Sequence, residues 1–518
     1  MNRRIQNVGV LLMTIAILMT ALPLVAFATP TIKDDAPTTG TLTIEKDGST
    51  FDIYQLALAN QHTGAGAYTY SATDRFSGFF TGDYALTDSG VGKLVSYTEG
   101  SQLLATEAER YIKENNYSPD ESGIASGAST ALDIGYYLIV EKTTSNSSAT
   151  VASKAMLVSI PEVSGDTWNF DVKATLKDSA GDIEKKIIAS SGKADSSTAA
   201  IGDIIRYEIK TTVPDYDDAV DRSTIVYKIT DTMSKGLDYV GNLVVKQNNT
   251  TLTKDNDYTV NHTSNDDGTE TLELVFKFSS IEDKGEITVS FDAKLTKDAV
   301  QTVAGGGESA GNPNDVTLTY TNNPREKNDY YTKDDKVITY TTGVAVMKVD
   351  ANDITHDLAG AEFTLYKGET KVASYTYDEN GKPVVTEGDA STDEDGMIYF
   401  PGLDAGTYTL TEVKAPEGYS ILDKPLAIVI TAATGDSGEP NGAFTCTVDG
   451  SAVNASTHPT TAGDKIFFNV QVTNEAGWAL PGTGGVGTTV FTVAGAVLIA
   501  LSGILLLVML RKRSSKTK

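Results

Sequence analysis

The chain has little of what usually staples a secreted protein or builds a catalytic centre. Among 518 residues there is one cysteine, Cys446, so no disulfide can form within the molecule and no cysteine cluster can hold zinc. The four histidines, at positions 62, 262, 356 and 458, show no metal-ligand spacing. The acidic stretches D-A-N-D (350–353) and T-D-E-D-G (392–396) lack the full spacing of a calcium loop and read as turns. Positive charge is scarce too: 42 Lys and Arg against 69 Asp and Glu leave a formal net charge of -27, which argues against nucleic acid as a partner. Pro-rich and Ser-rich linkers are missing, so domains are expected to follow one another closely. These absences point away from a turnover enzyme and from any cofactor or metal. Covalent reinforcement, if the protein has it, must come from chemistry other than disulfides.

Long apolar runs occur only at the two ends. Arg3 and Arg4 precede one that closes on the small-x-small triplet Ala26-Phe27-Ala28, the pattern of a secretory signal peptide over residues 1–28. At the other end stand, in order, Leu480-Pro481-Gly482-Thr483-Gly484, an apolar segment from Thr488 to Leu510 long enough to span a bilayer, and a basic tail over 511–518 that stays cytoplasmic. Processing at both ends would leave a chain from about Thr29 to Thr483. The charged residues it would remove are all basic, moving the net charge from -27 to -34.

Between the ends the texture is all-β. Runs such as T-L-T-I-E (41–45), Y-Y-L-I-V-E (136–141) and I-T-V-S-F-D (287–292) alternate apolar and polar residues, rich in Thr, Val, Tyr and Ile. Gly, Asn and Asp turns separate them. The spacing predicts tandem immunoglobulin-like β-sandwich domains over 30–175, 178–342 and 343–477. A short helix around 107–113 interrupts the first.

Parity along the predicted strands singles out three polar residues in the third domain. Lys348 shares a face with Val344 and Val346, Glu412 with Tyr408 and Leu410, Asn474 with Val470 and Val472. Alternation therefore sends a lysine, an acid and an amide into one core. That costs several kcal/mol unless they pair or react. Burial makes the lysine amine a free nucleophile and keeps the acid protonated. Attack on the asparagine carbonyl then releases ammonia and leaves an isopeptide bond, a single-turnover use of general acid–base chemistry. In the second domain parity with Ile183 and Ile187 selects Lys185 over its neighbour, and Tyr227 and Ile229 place Asp231 inward. For the amide, Asn314 and Asn322 share the same parity. Asn314 is favoured and Asn322 is the alternative. The first domain has an echo in Lys46 and Glu141 but no convincing asparagine in a final strand, so no bond is expected there.

These motifs resemble those of the sortase-assembled major pilins of Gram-positive bacteria. The terminal pentapeptide is similar to the LPXTG sorting signal, with Gly482 in the variable place. T-L-T-E-V-K-A-P-E-G-Y around Glu412 resembles the E-box of pilins and the collagen-adhesin B-type domain. The Lys185–Asp231 region resembles the isopeptide-forming second domain of fimbrial major subunits. W-N-F-D-V-K-A-T-L-K (168–177) resembles the pilin motif W-x-x-x-V-x-V-Y-P-K, matching at Trp168, Val172 and Lys177 and departing at Thr175-Leu176; Lys173 is the alternative lysine. The resemblance implies a sortase that cuts after Thr483, holds it as a thioester and passes it to Lys177 of another subunit. The implied partners are pilin-specific and housekeeping sortases, identical subunits, minor pilins, peptidoglycan and host surface molecules. The implied location is the cell wall, through a transient membrane anchor. The rival expectation is a wall-anchored adhesin, or a minor pilin at tip or base, that needs no nucleophilic lysine between domains.

Overall fold

The computed structural model describes residues 31–61, 68–81, 100–143, 150–164, 167–177, 179–303, 311–377, 383–385, 389–460, 463–477 and 486–514. The signal-peptide region and the Leu480–Gly484 pentapeptide lie outside these residues. The remainder is almost entirely β, arranged as tandem sandwiches.

Alternation is what forms the strands. In Tyr227–Met233 every second side chain is buried, and in Asp171–Thr175 Val172 and Ala174 are buried between exposed neighbours. A ribbon with one apolar face must stack that face on another sheet. In the first domain Thr39–Glu45 pairs in parallel with Asp171–Thr175 and antiparallel with Ser129–Asp133. Their inner residues Leu42, Ile44, Val172 and Ala174 pack with Ile53, Ile139 and Val158 of the facing sheet.

Not every strand alternates. Gly135–Thr143 is buried from Gly135 through Glu141. Tyr137 and Ile139 enter the sandwich core, while Tyr136, Leu138 and Val140 enter a second core beneath the helix Gly100–Asn115. That helix presents Leu104, Ala108 and Ile112 at four-residue spacing and covers the other face of the sheet. It is longer than the sequence suggested, because packing on the sheet stabilises turns that propensity alone would not.

The second domain stacks two six-stranded sheets. Lys185 lies in Asp182–Ala189 of one; Asp231 (in Tyr227–Met233) and Asn314 (in Asn312–Thr321) lie in the other. The third domain stacks a six-stranded on a seven-stranded sheet. Thr342–Asp350 pairs in parallel with the last strand Gly463–Asn474, and Gly406–Lys414 lies in the facing sheet.

The joints are tight. Val151 packs into the second core, and Val303, Ile338 and Tyr340 into the third. Where the second and third domains meet, Ile201 N donates to Gly402 O at 2.8 Å. Gly402 has φ +68, and a Cβ there would fall 2.1 Å from Ile201, so only glycine allows this approach. Beyond the sandwiches, the helix Val486–Ser514 contains an apolar stretch, Phe491–Leu510, of 20 residues with mean hydropathy 2.8 and no burial. It is long enough to cross a bilayer.

Candidate functional site

In the second domain Lys185 and Asp231 are fully buried and bonded Nζ to Oδ2 across the sandwich. The Lys185 amine also stands 5.3 Å from the ring centre of Tyr207 and 5.7 Å from that of Phe291. Burial pushes the amine below its ordinary pKa and the Asp231 carboxyl above its own; the mutual attraction of the pair opposes both shifts without reversing them. Both directions favour the neutral amine and the neutral acid.

Asn314 stands diagonally from Asp231 on the same sheet face, since Val316 opposes Asp231 and Asn314 opposes Met233. Its amide is fully buried and lies against Asp231 and Tyr207 without completing a well-formed hydrogen bond. Asn322 falls beyond the strand's end. Its side-chain nitrogen faces Asp329 at 3.4 Å, and its backbone carbonyl accepts from Ala152 N of the first domain at 2.9 Å. The structure thus brings Asn314, and not Asn322, to the Lys185–Asp231 pair.

In the third domain Lys348 is fully buried and donates to Val472 O at 3.2 Å, its register partner on the parallel strand. Desolvation lowers its amine from 10.5 to about 8, against the opposing pull of Glu412. Asn474 Nδ2 donates to Glu412 Oε1 at 2.8 Å, and Leu422 N to Glu412 Oε2 at 2.7 Å. The Asn474 carbonyl oxygen is buried with no hydrogen-bond partner. An uncompensated buried carbonyl is costly in a finished core. It is what an unreacted electrophile in the same core as an amine of lowered pKa would look like.

The first domain differs. Lys46 donates to Glu141 Oε2 at 2.8 Å, Val151 O at 2.9 Å and Ser153 Oγ at 2.9 Å. Glu141 also accepts from Ser49 Oγ at 2.7 Å and Ser153 N at 2.6 Å. Sequence parity missed Ser49 and Ser153, because neither belongs to an alternating run.

Trp168 packs edge-on against Tyr68 with ring centres 4.9 Å apart. The exposed Lys177 lies two residues past Asp171–Thr175, at the joint of the first two domains. Lys173 points outward mid-strand and faces Glu45 at 3.8 Å. The acidic stretches proposed as turns are turns: Asp350 caps Asn352 N at 2.7 Å and Asp393 caps Met397 N at 2.8 Å. Among the described residues no group of His, Cys, Asp or Glu is placed to hold a metal ion.

Stacked β-sandwich modules with lysine, acid and asparagine converging inside define a class of modular surface proteins. Residues 201–324 match the Gram-positive pilin backbone subunit 2, Cna-B-like domain, and residues 342–438 match the SpaA prealbumin-like fold domain. Over these stretches the chain is similar to Gram-positive pilin backbone subunits, a family of structural proteins. It is similar to the trypsin-resistant surface T6 protein of Streptococcus pyogenes serotype M6, 27% identical over 264 residues. That alignment spans 47% of this chain and 45% of the relative, under half the relative's length. It is also similar to the fimbrial subunit type 1 of Actinomyces viscosus, 25% identical over 426 residues and 73% of each chain. In fold it resembles the three-domain T6 backbone pilin of S. pyogenes, with TM-score 0.52 and 18% identity over 85% of this chain and 99% of that one.

Proposed function

We propose that the chain is the shaft subunit of a covalently polymerised pilus, joined from Lys177 of one copy to Thr483 of the next. What carries this reading is the setting of Lys177: an exposed amine on the joint between two sandwiches. A sortase cysteine would hold the Thr483 carbonyl as a thioester. The Lys177 amine, once it has given up its extra proton, attacks that carbon; the C–N bond forms, the C–S bond breaks and the sulfur leaves as the thiol with the proton that the nitrogen sheds. The apolar helix keeps the precursor at the membrane until Thr483 is cut.

The same reading gives the two buried clusters a purpose. Lys185 attacks the Asn314 side-chain carbonyl, and Lys348 that of Asn474. Asp231 and Glu412, protonated, donate to the carbonyl oxygen as charge develops there. For Asn474 this requires the amide turned so that Oδ1 faces Glu412, an exchange of two atoms of nearly equal size. Each step forms a C–N bond, moves one amine proton to the departing amide nitrogen and releases ammonia. A shaft held by these bonds resists force and protease without disulfides.

The test is a wall-extract immunoblot. The wild-type chain should give an SDS-resistant ladder and Lys177→Ala only monomer. A ladder that survives Lys177→Ala sinks the assignment of Lys177 and returns Lys173, or a non-polymerising adhesin, to the front.

A further inference from the structure

The buried Lys46–Glu141 pair stands where the later domains carry their bond-forming groups, and the proposed function leaves it without a task. Its surroundings supply one. Ser153 N is held by Glu141 Oε2 at 2.6 Å, and Ser153 Oγ accepts from Lys46 Nζ at 2.9 Å. A hydroxyl that accepts from an ammonium keeps its own proton for another acceptor. Ser153 Oγ gives it to the backbone carbonyl of Lys177, at 3.1 Å.

The segment that carries Ser153 is tied on both sides. Val151 N donates to Ser179 O at 2.7 Å, and Thr150 bridges Ala180, so the chain just after Lys177 is also gripped. Ala152 N donates to Asn322 O of the second domain at 2.9 Å, and Arg325 Nη1 reaches Ser153 O at 3.5 Å. Arg325 is itself fixed by two bonds of 2.8 Å to Glu109 on the helix Gly100–Asn115. The backbone of Lys177 is therefore fastened to a buried ionic anchor while its side chain stays in solvent.

We propose that Lys46, Glu141 and Ser153 are positioning residues for the Lys177 transfer step: they fix the Lys177 backbone so that its amine meets the thioester in an attack-ready geometry. The proposal rests on the assignment of Lys177 above. An acceptor on a pinned backbone loses less orientational freedom when it reacts, and misplacement by about 1 Å can cost up to about a hundredfold in rate.

Pulse-chase labelling of the full chain in pilus-forming cells tests it, with the processing of Thr483 followed in parallel. Ser153→Ala should slow monomer entry into the ladder by about tenfold. Cleavage at Thr483, which lies at the other end of the chain, should keep its wild-type rate, while the ectodomain should stay folded and melt only somewhat earlier for the two hydrogen bonds it loses. Ser153→Thr, which keeps the hydroxyl, should restore entry, and Glu141→Gln should fall between. If Ser153→Ala lowers the folded yield, Ser153→Cys keeps the volume, weakens both hydrogen bonds and gives the same comparison. Wild-type entry rates in Ser153→Ala or Ser153→Cys overturn the positioning role. Lys177→Arg separates the two ideas. If it abolishes the ladder while the Ser153 variants polymerise normally, only the positioning proposal fails. A ladder that survives Lys177→Arg removes the assignment beneath it.

Discussion

The first domain and the two that follow bury the same pair of residue types and leave them in opposite conditions. Around Lys46 and Glu141 the ammonium faces three acceptors and the carboxylate gathers donors from Ser49 and Ser153 as well. Such a pair has its hydrogen-bonding capacity filled by its neighbours. Around Lys185 and Asp231, and around Lys348, apolar rings and β-strands supply almost no polar company, and the amide oxygens of Asn314 and Asn474 are left unpartnered. Desolvation there wins over ion pairing. Whether a buried lysine becomes an anchor or a nucleophile is thus decided by its neighbours' hydrogen bonds and not by burial itself.

The largest break of this contrast comes from removing both electrophiles. Asn314→Ala with Asn474→Ala should raise the intact mass of the ectodomain by about 34 Da relative to that expected for a bonded protein with the same substitutions, since each condensation loses ammonia. Each lost cross-link should also cost about 2–5 kcal/mol, by analogy with a disulfide closing a long loop. Mass spectrometry and protease challenge read both effects. A wild-type ectodomain with its full unmodified mass would end the contrast outright.

Glu141→Ala attacks the other side of the comparison. It strands the Lys46 ammonium in a core, which costs about 3–5 kcal/mol for a buried pair. The first domain should melt earlier while the mass deficit stays that of two bonds. Loss of about 17 Da of that deficit would mean that the first domain bonds as well.

The pH response separates the two conditions further. In Asn474→Ala the Lys348 amine is unreacted, and burial holds it at about 8 instead of 10.5. Between these values the unfolded chain binds a proton that the folded one does not, so stability should rise with pH through that window and level off below it. Asn474→Ala with Lys348→Met should lose that slope in melting temperature, as should the wild type, whose amine is consumed. Equal slopes in all three would show that Lys348 is not desolvated.

Much of this was legible from alternation alone. Parity picked Lys348, Glu412 and Asn474 because each continues an apolar face; Gly406–Lys414 and the end of Gly463–Asn474 keep the period, while Thr342–Asp350 is buried on both faces. Parity could not choose between Asn314 and Asn322, because period two repeats indefinitely along a strand. Only the pairing register, which puts Val316 opposite Asp231, fixes which asparagine lies near the acid. Nor could it find Ser153 or Arg325, which act through irregular segments at a domain joint. The helix Gly100–Asn115 was visible only in its charged middle, since its buried face is completed by a sheet distant in sequence.

The smallest predicted effect decides that register question. Asn322→Ala removes a buried side chain that faces Asp329 at 3.4 Å, long for a hydrogen bond. The backbone carbonyl that holds Ala152 is untouched by the substitution. Stability should therefore fall by about 1–2 kcal/mol, the net worth of an ordinary hydrogen bond and of the small void left behind. The mass deficit should remain that of two bonds, whereas Asn314→Ala should lose about 17 Da of it. The reverse pattern would require the Lys185 amine to reach past the strand's end. The Lys185–Asp231 bond across the sandwich, at the level of Val316, argues against that reach because an amine held there is some six residues, roughly 20 Å, from Asn322.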